Sequence, residues 1–82
     1  MFTSKHLYDG HEYTVYNLSH ANRPGCWEVH SIDGTLVATV QQDETCEYLH
    51  ITVPDSPELG CSFYHSATVT HEDVFDIVKG VL

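Results

Sequence analysis

The chain has 82 residues, with 12 Asp and Glu against 3 Lys and Arg, and a net charge of −9 with histidine neutral. The length allows one domain, residues 1–82, and no second. Lys5, Arg23 and Lys79 are too few and too scattered to follow a phosphate backbone, so direct nucleic-acid binding is not expected.

Asp9-Gly10 predicts the first turn, because a two-residue hairpin loop needs residues that accept positive φ. It would join a strand over 3–8 to one over 11–18. Residues 19–25 read as a loop ending in Pro24-Gly25. Asp33-Gly34 predicts a second hairpin, with Ile32 opposite Thr35, Val29 opposite Ala38 and Trp27 opposite Val40. Its core face would be Trp27, Val29, Leu36, Ala38 and Val40. Its other face would be Cys26, Glu28, His30, Val37, Thr39 and Gln41. Gln42–Thr45 is a polar turn. With Asp43-Glu44 at its centre, Gln41 faces Cys46 and Val37 faces His50.

The next strand, over 46–53, alternates with Leu49, Ile51 and Val53 on one side. Residues 54–60 carry two prolines and read as a loop. Residues 61–69 form the last predicted strand, with Phe63, Ala67 and Val69 inward. Thr70 then suits an N-cap and Asp73 closes a capping box. The spacing of Val74, Phe75, Ile77, Val78, Val81 and Leu82 gives an amphipathic helix over 71–81. The expected fold is α+β: an antiparallel β-meander of five to six strands with one C-terminal α-helix packed on one sheet face. The opposite face stays open.

The chain's 41% hydrophobic and 11% aromatic content is enough for a core and unlike that of a disordered chain. No apolar run reaches the ~18 residues of a membrane span. Residues 1–6 lack the apolar centre of a secretory leader, so no membrane role is expected and the cytoplasm is the expected compartment. Three cysteines cannot all pair within one chain, and free thiols are expected.

Each cysteine is followed four residues later by histidine: Cys26/His30, Cys46/His50 and Cys61/His65. On a strand that spacing spans about 13 Å, too far to share one metal. The predicted registers align the first two pairs only across an intervening strand, roughly 9.6 Å apart. No metal site and no cofactor are therefore expected within one chain. Nor is a catalytic residue: acidic neighbours such as Glu28, Glu44 and Glu47 work against a reactive thiolate. No G-x-S-x-G elbow and no glycine-rich phosphate loop is present.

The sequence thus points to a non-enzymatic protein-binding module. The expected form is a small acidic inhibitor or regulator, of the size and charge that phages and bacteria use against basic partner proteins. The expected contacts are Glu28, His30, Asp43, Glu44, Glu47, Tyr48, His50, Asp55, Glu58, Glu72, Asp73 and Asp76. One alternative is a structural domain whose open sheet face pairs with a second copy as a homodimer. Another is a metal- or thiol-dependent site at a Cys/His cluster.

Overall fold

The computed structural model describes residues 2–18, 24–65 and 69–82, with Phe2 by its backbone alone. Six strands follow in chain order: β1 (Phe2–Tyr8), β2 (His11–Asn17), β3 (Cys26–Ser31), β4 (Leu36–Gln42), β5 (Tyr48–Thr52) and β6 (Cys61–Tyr64). They form one antiparallel sheet in the order β1-β2-β3-β4-β5-β6. The helix α1 (His71–Val78) follows, and a 3₁₀ turn over Lys79–Val81 extends it. The expected meander with one C-terminal helix is the observed architecture. The expected loop over 19–23 and the inward position of Ala67 lie outside the described residues.

The first turn is the predicted one. Tyr8 pairs with His11, and Asp9 (φ 51) and Gly10 (φ 78) both take the left-handed conformation. The second departs from expectation. Only Gly34 (φ 88) is left-handed there; Gly34 N–H donates to Ser31 C=O at 3.0 Å, and Ser31 N–H to Thr35 C=O at 2.9 Å. The loop is therefore Ile32-Asp33-Gly34, three residues rather than two.

A three-residue loop moves the register by one, which alone would turn the core side chains of β4 outward. A bulge cancels that shift: His30 pairs with Leu36, yet Val29 pairs with Ala38, leaving Val37 as the extra residue. Beyond the bulge the expected pairs, Val29–Ala38 and Trp27–Val40, are intact. The local cost is that Leu36, expected in the core, is only half-buried, while Val37, expected outside, packs against it.

The expected β4–β5 register is wrong. Gln41 faces His50 instead of Cys46, and Thr39 faces Thr52, so the connection is a five-residue loop over 43–47. Asp43 explains it. Its Oδ1 accepts from the backbone N–H of Glu47 and of Tyr48, each at 3.1 Å, and its Oδ2 accepts from the Thr45 hydroxyl at 2.8 Å. Cys46 closes the loop in the left-handed region (φ 62). Buried Gln42 ties it to the neighbouring chain: its Oε1 accepts from Gly25 N–H at 2.9 Å, and its Nε2 donates to Cys46 C=O at 3.2 Å.

One face of the sheet contributes Val15, Trp27, Val29, Ala38, Val40, Leu49 and Ile51 to the core, with Val53 just beyond β5. The helix supplies Val74, Phe75 and Val78. Phe75 stacks on His6 of β1 (centroids 4.7 Å) and meets Tyr13 of β2 at 5.7 Å. The capping box is complete: Thr70 Oγ1 accepts from Asp73 N–H at 3.1 Å, and Asp73 Oδ2 from Thr70 N–H at 3.0 Å. Phe63, expected inward, is 45% exposed because β6 is the sheet edge and the helix packs over β2 and β3.

Candidate binding face

The face away from the helix carries the alternate residues of every strand. In its centre, Glu28 and His30 lie two residues apart on β3 and point the same way. His30 Nε2 sits 2.9 Å from Glu28 Oε1, and its Nδ1 is 3.2 Å from Gly34 C=O. Tyr16 of β2 meets the His30 ring edge-on at 4.8 Å. Gln41 Nε2 donates to Cys26 Sγ at 3.9 Å. Further across, His50 Nδ1 contacts the Ser62 hydroxyl at 2.6 Å. Tyr48 and Tyr64, directly paired across β5 and β6, pack edge to face at 5.6 Å. They are 43% and 63% exposed.

The twelve expected contact residues do not form one patch. Glu28, His30, Tyr48 and His50 lie on this open face. Asp43, Glu44 and Glu47 flank it in the loop at one end of the sheet. That loop lies beside the helix start: His65 N–H donates to Glu47 C=O at 2.6 Å, and His65 Nε2 is 3.9 Å from Asp73 Oδ2. Glu72 and Asp73 therefore stand near the same end. Asp55 and Glu58 occupy the β5–β6 connection at the opposite end, and Asp76 is on the helix, paired with Lys79 at 3.1 Å.

Several carboxylates are already engaged. Desolvation pushes the Asp43 carboxyl up, but the Thr45 hydroxyl, the Tyr48 and Glu47 amides and the charge of His50 together hold it below the usual carboxylate range. Asp33 is held down to about 2 by the Ser31 hydroxyl first and then by the Thr35 amide and hydroxyl. Asp73 is used in the capping box and Glu28 in the His30 contact. No ion pair among the described residues engages Glu44, Glu47, Asp55, Glu58 or Glu72.

The Cys/His pairs do not align as expected. With the β4–β5 register corrected, the row reads Cys26–Gln41–His50–Ser62, and Cys46 sits in the 43–47 loop. Cys61 lies on the opposite sheet face. No disulfide joins the three cysteines, and no group of three metal-ligating side chains converges among the described residues.

A second cluster joins residues with no sequence signal in common. Ser4 Oγ lies 2.8 Å from His6 Nε2 and 2.7 Å from His71 Nδ1, across a separation of 67 positions. One hydroxyl so placed donates to one imidazole and accepts from the other. Desolvation, then the charge of His6, pushes His71 below its ordinary value. This contact fixes the helix start onto β1. Alternation along β1 puts Ser4 and His6 on one face, but only the docked helix shows that His71 joins them.

Comparison with protein-family models, curated proteins and solved structures returns no match for this chain.

Proposed function

We propose that this chain is a non-enzymatic protein-binding module, a small acidic inhibitor or regulator that takes a basic protein partner onto the open sheet face, acting in the cytoplasm. The observation that carries the reading is the Tyr48–Tyr64 pair, exposed at the sheet end where Glu44 and Glu47 project without an ion pair among the described residues. Tyrosine suits interface centres because it offers apolar area with a polar tip, and flanking carboxylates steer a cationic protein towards it. The net charge of −9 supplies the long-range attraction.

The test is affinity capture from host lysate with three baits: the wild-type chain, Tyr48→Ala/Tyr64→Ala, and Glu44→Gln/Glu47→Gln. A basic protein held stoichiometrically by the wild type at low salt, weakened by both variants and released by high salt, supports the proposal. Retention of the same proteins by all three baits overturns it.

A further inference from the structure

Antiparallel strands turn the backbone groups of successive residues to alternate sides. His65 N–H bonds Glu47 C=O at 2.6 Å, and the same register sets Phe63 against Leu49 and Cys61 against Ile51. The backbone groups of Cys61, Phe63 and His65 therefore point at β5, and those of Ser62 and Tyr64 point away. Among the described residues no strand lies beyond β6. Both sides of this edge carry an exposed aromatic ring and no charge: Phe63, 45% exposed, lies on the helix side and Tyr64, 63% exposed, on the other. Residues 59–71 contain no Asp, Glu, Lys or Arg.

The other edge differs. Lys5 stands in the middle of β1 with its side chain 75% exposed, 3.6 Å from Glu12. A lysine at that position is a common guard against edge pairing. The helix also covers one side of β1 through Ser4–His71, His6–Phe75 and Lys79 over Tyr8.

We propose that β6 is a homodimerisation edge. Two copies pair β6 to β6 antiparallel about a two-fold axis perpendicular to the sheet, making one sheet of twelve strands from two of six. The edge is complementary to itself. Ser62 exchanges both backbone hydrogen bonds with Tyr64 of the partner subunit, and Tyr64 does the same with Ser62 of the partner subunit. Phe63 faces the partner subunit's Phe63 as a non-hydrogen-bonded pair, the closer of the two antiparallel pair types, with Cα atoms about 4.5 Å apart. A second copy fits better than a basic protein because this strip offers no charge to attract one. Two chains of −9 repel elsewhere but can meet here.

Sedimentation equilibrium of the full chain tests this. The wild type is expected to dimerise. Ser62→Pro removes an outward N–H that β5 does not use, and is expected to weaken the dimer at least about tenfold. Ser62→Ala, which loses only the hydroxyl contact with His50, is expected to keep it. Phe63→Lys leaves the backbone unchanged and is expected to disrupt the dimer by charge, so it carries the test if the proline variant does not fold. In a Cys26→Ser/Cys46→Ser/Cys61→Ser background, Phe63→Cys is expected to oxidise to a disulfide-linked dimer, since that pair spacing suits a disulfide.

A wild-type monomer at roughly 1 mM overturns the proposal. So does a dimer that survives both Ser62→Pro and Phe63→Lys, or one in which Phe63→Cys fails to cross-link. Salt separates this interface from the proposed partner site. Screening is expected to tighten the dimer of like-charged chains and to loosen a complex with a basic protein.

Discussion

Phe75→Ala tests whether the helix is held by its docking. Phe75 is 2% exposed, stacked on His6 and in contact with Tyr13, with the Lys79 ammonium 5.6 Å from its ring. Truncating a buried phenylalanine costs about 3–5 kcal/mol. A domain of this size holds only about 4–12 kcal/mol in total. An eight-residue helix has no stability of its own to draw on, since isolated helices need about 12–15 residues. The loss therefore falls on the whole fold. With a urea slope near 2 kcal/mol/M, the unfolding midpoint is expected to drop by about 2 M. Trp27, the single tryptophan and 4% exposed in the core, reports it by fluorescence. Phe75→Leu is expected to lose much less, about 1–1.5 kcal/mol. A drop below about 0.5 M for the alanine variant, roughly 1 kcal/mol, would refute the docking.

Thr70→Ala removes one half of the capping box and is expected to cost about 1 kcal/mol in the same titration; retention of full stability would show the cap to be idle. Gly25→Ala places a Cβ against the buried Trp27 ring, closer than van der Waals contact allows, and is expected to cost about 1–3 kcal/mol with a visible change in near-UV dichroism, neither of which a ring free to move aside would show. Burial and His6 depress His71, so the unfolded chain takes up its proton first as pH falls. The stability it contributes is complete above pH about 6.5 and declines as pH drops towards its lowered folded value. His71→Gln should flatten that part of a pH-stability curve measured between about pH 7 and 5, and an unchanged slope would assign the effect to other groups.

The legible parts of the fold were those fixed by local chemistry. Asp9-Gly10, the Leu49-Ile51-Val53 alternation and Thr70 with Asp73 each act within a few residues, and each stands as expected. The Asp33-Gly34 hairpin shows where local reading stops. The right turn residues form a longer loop, and the core register survives only because the Val37 bulge compensates. The β4–β5 connection had no such correction. Its register depends on an Asp43 side chain reaching residues four and five positions on, which the dipeptide pattern does not encode. That error also produced the apparent alignment of Cys26/His30 with Cys46/His50. The open face and its exposed tyrosines followed from alternation alone. The Ser4–His6–His71 contact did not, because it depends on where the helix lands.

The corrected geometry changes what the acidity can do. Counted along the chain, the carboxylates look evenly available; in space, Asp43 and Asp73 serve the loop and the helix cap, and Asp76 faces Lys79. What remains near one end of the sheet is Glu44 and Glu47, in the loop that leads into exposed Tyr48, and Glu72 at the helix start on the other side of the sheet. The uncharged β6 edge ends at Tyr64, which pairs with Tyr48. Under the proposed pairing, a two-fold axis perpendicular to the sheet keeps both open faces on the same side. The dimer would then present one continuous surface carrying twice the charge of a single chain. A basic partner would meet Tyr48–Tyr64 pairs from both copies near the centre of that surface, so dimer formation and partner binding would reinforce each other. Phe63→Lys separates the two: Phe63 lies on the helix side, away from the tyrosines, so the substitution is expected to abolish the dimer yet leave each chain's partner site intact. Partner affinity measured with this variant should therefore fall in proportion to lost bivalency. Unchanged affinity would show that the two surfaces act independently.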